Sequence, residues 1–150
     1  MNKIYFLMKH VKDIYGSKGV LKFLIPSVLI SLIPRENDIF EAATSLFTAL
    51  IVVEIAFVAI FYSGSEGVKK AKEKSMVNFA GEKSSFYHYL LIKNYHSLFI
   101  KFIVLFLLFL MKIYNINLIG YNSFIFSLII YSVLVTLDLM ISMYYFLWGS

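Results

Sequence analysis

The chain has 150 residues, one domain's worth, but it is 60% hydrophobic and 18% aromatic, with a mean hydropathy of +0.78. Soluble domains run at about 45–50% apolar, so a water-soluble fold of this size has too little interior for so much apolar surface. The net charge of +5 does not argue for nucleic acid, because the lysines sit beside apolar runs rather than on a basic face of their own, and the absence of cysteine removes disulfides, thiolate metal sites, cysteine nucleophiles and palmitoylation together.

At the start of the chain, Ile4, Leu7, Met8, Val11, Ile14 and Tyr15 recur at helical spacing, with Lys3, Lys9, His10, Lys12 and Asp13 on the other side. That pattern predicts an amphipathic helix lying in the inner membrane interface or leading into the first span. A helix rises about 1.5 Å per residue and needs roughly 20 mostly apolar residues to cross the hydrocarbon. Four stretches approach that length. The first, 19–33, is short, with Lys22 near its start, Pro26 inside and Pro34 just beyond it. No small-x-small cleavage site follows it, so it is expected to remain in the protein. The second, 39–62, carries Glu54; the third, 92–114, contains the uninterrupted apolar run 102–111. The fourth, 123–147, carries Asp138 and finishes in Tyr144, Tyr145 and Trp148, aromatic residues that favour the interface. Each stretch is too long for a barrel strand and none alternates with period two. The segment 64–88 reads as a cytosolic helical hairpin broken at Gly81, with Ser84 or Ser85 opening the next helix. The predicted fold is an all-α membrane protein: one four-helix transmembrane bundle with an N-terminal amphipathic helix and a hairpin between spans two and three.

The basic residues set the expected topology. Lys3, Lys9, Lys12, Lys18 and Lys22 oppose only Asp13, and the hairpin holds Lys69, Lys70, Lys72, Lys74 and Lys83. Both regions belong inside by the positive-inside rule. The loop after the first span has Arg35 against Glu36, Asp38 and Glu41, and 115–122 carries no charge; these belong outside. An even number of spans then leaves both termini in the cytoplasm. The wealth of Lys, Ile, Asn, Phe and Tyr beside a single Arg looks like an AT-rich bacterial or phage gene, which puts the protein in a bacterial inner membrane.

In the second span Ala42, Ser45, Ala49, Ala56 and Ala59 fall at spacings of three, four and seven, a stripe of small residues that lets another helix approach closely. Glu54 lies roughly 150° around the helix from that stripe. A carboxylate at that depth does not face lipid, so this helix is expected to have protein or water on two sides, at the centre of the bundle or in a homo-oligomer. The fourth span carries a polar stripe of Ser127, Tyr131, Asp138, Ser142 and Tyr145. In the third span Lys101 sits toward the cytoplasmic half, and Glu54 and Asp138 lie about 12 to 15 Å deep, within reach of a long lysine stem. Glu54, Lys101 and Asp138 are therefore the predicted intramembrane charge cluster, either an ion pair that locks the helices or part of an ion or proton pathway or a gating charge set.

His88 and His96 are more than about 10 Å apart along a helix, too far to chelate one metal. No Gly-rich phosphate loop or nucleophile elbow is present. The reading is no enzyme, no catalytic residue, no metal and no cofactor. No aromatic alternates with Lys69, Lys70, Lys72 and Lys74, so anionic lipid or a soluble cytosolic partner at the hairpin suits them better than nucleic acid.

A short first span, an acidic outer loop, the small-residue second span from Ala42 to Tyr62, its exit through Ser63, Gly64 and Ser65 into the basic stretch Lys69 to Lys74, and two further spans form a layout. It resembles, over most of the chain, the compact four-span proteins of bacterial phage-exclusion and antiphage systems, of the RexB and KwaA types. The resemblance implies an inner-membrane protein that oligomerises and either opens an ion-conducting path or reports membrane disturbance to a soluble partner. The same size and layout are similar to those of bacteriocin immunity proteins, which implies capture of a pore-forming toxin within the bilayer. A small ion channel or transporter subunit is the third reading.

Overall fold

A computed structural model describes residues 3–32, 39–77, 81, 83–114 and 119–148. Its elements are α1 (Lys3–Ser31), α2 (Ile39–Tyr62), α3 (Glu66–Glu73), β1 (Ser75–Val77), β2 (Lys83–Ser85), α4 (Phe86–Tyr114) and α5 (Ile119–Trp148). Pro34 and the loop charges Arg35, Glu36 and Asp38, with the side chains of Ile4, Leu7 and Met8, lie outside the described residues.

Three of these helices are long and apolar enough to cross a membrane: Glu41–Tyr62, Phe86–Tyr114 and Asn122–Tyr145. The expected first span is not among them. α1 breaks at Gly16, whose φ of 64° and ψ of 166° interrupt the helix. Glycine occupies such a conformation without a Cβ clash. The part after the break, 17–31, is about 22 Å long, shorter than the hydrocarbon thickness. Pro26 removes one backbone donor from that part, and the neighbouring Ser27 hydroxyl donates to the Phe23 carbonyl at 2.6 Å. Before the break, Val11, Ile14 and Tyr15 are buried with Ile92 of α4, while Lys9 and Lys12 are exposed.

α4 is the central helix, packed on α1, α2 and α5, and α1 runs chiefly along α5. Of the two expected settings for α2, the centre of the bundle or an oligomer, the first is not what these contacts give. α2 offers one face, with Ala43, Phe47, Glu54 and Phe61 buried, and leaves Ala42, Ser45, Ala49, Ala56 and Ala59 exposed. The small-residue stripe therefore lies on the exposed face of α2 among the described residues. The reason is one of magnitude: a carboxylate at the centre of a hydrocarbon slab costs roughly 3 kcal/mol or more, whereas an alanine contact gains a fraction of that. Glu54 decides which face turns inward.

The segment between α2 and α4 also differs from expectation. Its first arm opens as the helix α3, but beyond it the chain is extended: β1 and β2 form an antiparallel ribbon pairing Ser75 with Ser85, Met76 with Ser84 and Val77 with Lys83. Gly81, at φ 79°, lies in the turn region of this ribbon and does not cap a helix. The Phe86 N–H donates to the Lys74 carbonyl at 2.8 Å and closes the ribbon's base. The Ser85 hydroxyl accepts from the His88 N–H at 3.2 Å, an N-cap that starts α4 six residues before the expected 92.

Two further clusters fill the interior. Ala43, Phe47, Val104, Leu108, Ile125 and Ile129 pack at the end remote from the ribbon. Phe61, Ala71, Phe86, Leu90, Leu139 and Met143 pack at the ribbon end.

Candidate functional site

Between those clusters the core turns polar, and α4 supplies most of it. Lys93, Ser97 and Lys101 follow one another at intervals of four and so share a helix face, with Asn94 and His96 beside them; all five are buried. Lys101, 0% exposed, meets Glu54, 1% exposed, with Nζ 2.7 Å from Oε1. The same oxygen accepts from the Ser97 hydroxyl at 2.7 Å and from the Thr136 hydroxyl at 3.4 Å. The Lys101 ammonium donates also to Ser97 Oγ at 2.7 Å and to Thr136 Oγ1. The Asn94 amide donates to the Glu54 main-chain carbonyl at 3.2 Å. One carboxylate thus joins α2, α4 and α5.

Asp138 is not part of that group. Its Oδ2 lies 2.5 Å from Lys93 Nζ, which also donates to Ser142 Oγ at 2.9 Å. The predicted trio of Glu54, Lys101 and Asp138 is in the structure two ion pairs, whose lysines stand about 12 Å apart along α4. The cause is angular. Asp138 follows Thr136 by two residues, roughly 200° around α5, so when Thr136 faces Lys101 the carboxylate turns elsewhere. Lys93 meets it there. The rings of Tyr89 and Tyr15 flank the Lys93 ammonium at 4.6 and 5.3 Å, positions suited to cation–π attraction. Tyr15 also lies against His96, centroids 5.7 Å apart, and His96 Nε2 is 3.1 Å from the Tyr131 hydroxyl. Burial, with the Asp138 charge second, pushes the Tyr15 phenol well above its usual range, which keeps it neutral beside Lys93.

The polar stripe of α5 divides. Tyr131 and Ser142 face α4 as described, and Ser127 is half-buried. Tyr145 is 64% exposed and lies edge-on to Tyr144, so it belongs to the surface. Sequence reasoning missed Lys93, Ser97 and Thr136. The i, i+4, i+8 spacing of Lys93, Ser97 and Lys101 was the available signal, but a span counted from residue 92 makes Lys93 look like an interface residue.

The two pairs sum to no net charge. Glu54 Oε2, Asn94 Oδ1 and Ser132 Oγ are buried without a hydrogen-bond partner among the described residues. Beyond Lys101 the buried side chains become Val104, Leu108, Phe47, Ile125 and Ile129, so the polar column occupies the half of the bundle nearer the ribbon and an apolar plug fills the other. Among the described residues no group of three or more His, Asp or Glu is placed to hold a metal ion. No protein family, curated protein or solved structure matches this chain.

Proposed function

We propose that this chain is an integral inner-membrane component of a bacterial antiphage system, one that reports membrane disturbance through a charge latch inside the bundle. In this reading 17–31 completes four spans, the piece before Gly16 lies in the inner interface, and both termini face the cytoplasm. The reading is carried by the Glu54–Lys101 pair, wholly buried and shared by three helices. Such a pair has two discrete conditions: closed, it neutralises both charges; parted, it leaves each uncompensated at a cost of roughly 3–5 kcal/mol. A disturbance that separates α2 from α4 is thereby converted into an all-or-none event.

Conduction through a single copy is disfavoured by the apolar plug beyond Lys101. Conduction between copies is compatible with the exposed stripe on α2, which also supports a homo-oligomer, since small residues at those spacings let helices approach closely. The ribbon beyond α3 is the part left to a soluble partner.

The experiment pairs phage plating with ion flux. Cells carrying the system with Lys101→Met should lose protection, and liposomes holding the wild-type protein should show flux only after the membrane is perturbed. Protection retained with Lys101→Met would overturn the latch. Protection against one pore-forming toxin and no phage effect would establish the immunity reading in its place.

A further inference from the structure

α3 is amphipathic in a way the bundle core does not require. Val68 and Ala71, 1% and 2% exposed, turn inward, while Lys69, Lys70 and Lys72 and the following Lys74 are exposed. Ala71 belongs to one buried cluster with Phe61, Phe86, Leu90, Leu139 and Met143, and each of these five lies inside a segment apolar enough to cross the membrane. α3 is therefore folded back against α4 and α5 and does not project from them. At the same end, exposed Tyr62, Tyr144 and Tyr145 mark where an aromatic belt meets the headgroups. The lysines of α3 stand at that level.

Their placement is also particular. The Lys72 ammonium sits 5.0 Å from the Tyr87 ring centroid and that of Lys74 5.6 Å from Phe86, which brings two cations to adjacent residues of the first turn of α4. Lys69 is the i−3 neighbour of Lys72 on the helix surface. Four lysines from 66 to 74 oppose two glutamates, and of these Glu66 is 3.3 Å from Lys70. Among the described residues, no ion pair engages Lys69, Lys72 or Lys74.

We propose that α3, Lys74 and the first turn of α4 form a binding surface for the phosphodiester headgroups of anionic phospholipids, held by Lys72 and Lys74 with Lys69 beside them. Ammonium groups serve phosphate as point charges, and here their helix is clamped at headgroup depth by its own apolar side. An acidic soluble protein would match the charge but not the depth. The proposal depends on the spans and not on the defence reading.

The test uses the purified full-length protein in detergent, offered phosphatidylglycerol or phosphatidylcholine of identical acyl chains, with retained lipid counted by native mass spectrometry. The wild type should retain the anionic lipid preferentially. The Lys69→Gln/Lys72→Gln/Lys74→Gln variant should lose that preference by roughly fivefold per lysine removed, with an unchanged melting temperature in lipid-free detergent. Lys72→Arg, which keeps the charge, should retain the preference, as should Lys9→Gln/Lys12→Gln on α1. Equal retention by the wild type and the triple variant would overturn the proposal, as would competition by inorganic phosphate at millimolar concentration, which would denote a phosphate site indifferent to lipid.

Discussion

Replacing Lys101 with Met keeps most of the side-chain volume and removes the cation that Glu54 meets. Removing one partner of a buried pair costs roughly 3–5 kcal/mol because the other charge is left uncompensated. That is roughly 10 °C in melting temperature for a chain of this size. Adding Glu54→Gln removes the orphaned charge and should recover more than half of the loss. Melting curves in detergent for the wild type, both single variants and the double variant complete the cycle. An unshifted melting temperature for Lys101→Met, or a double variant no more stable than the single, would refute the reasoning.

Lys93→Met should cost less than Lys101→Met, about 1–2 kcal/mol by the same melting assay, because the Asp138 side chain is 30% exposed and part of its charge stays hydrated. Gly16→Ala should destabilise by about 1–2 kcal/mol, since the break in α1 holds φ at 64° where a Cβ clashes; unchanged melting would mean that α1 straightens without loss. Ala49→Leu/Ala56→Leu alters a face that is exposed among the described residues. The protomer's melting temperature should stay within about 2 °C, while chemical crosslinking and native mass spectrometry should show loss of oligomer. An intact oligomer would place self-association on another face.

Much was determined by the sequence alone, for a reason of solvent. A run of apolar residues such as 102–111 has one favourable environment and one secondary structure available in it, so the membrane helices around Glu54, Lys101 and Asp138 were legible without any tertiary contact. The meeting of Lys101 with Glu54 was legible too, because depth along a helix follows from counting residues. Three matters waited for the folded chain. Which acid Lys101 and Lys93 each meet depends on rotation about the axis of α5, and the two-residue step from Thr136 to Asp138 swings the carboxylate away. Which face of α2 turns inward was a contest between the carboxylate and the alanines. The segment after α3 became a ribbon because Ser75 to Val77 and Lys83 to Ser85 pair with each other across the turn, and strand pairing is a relation between two segments that neither carries alone. Charge burial and chain length are local quantities that residues declare one by one, whereas azimuth and pairing exist only once helices and strands have neighbours.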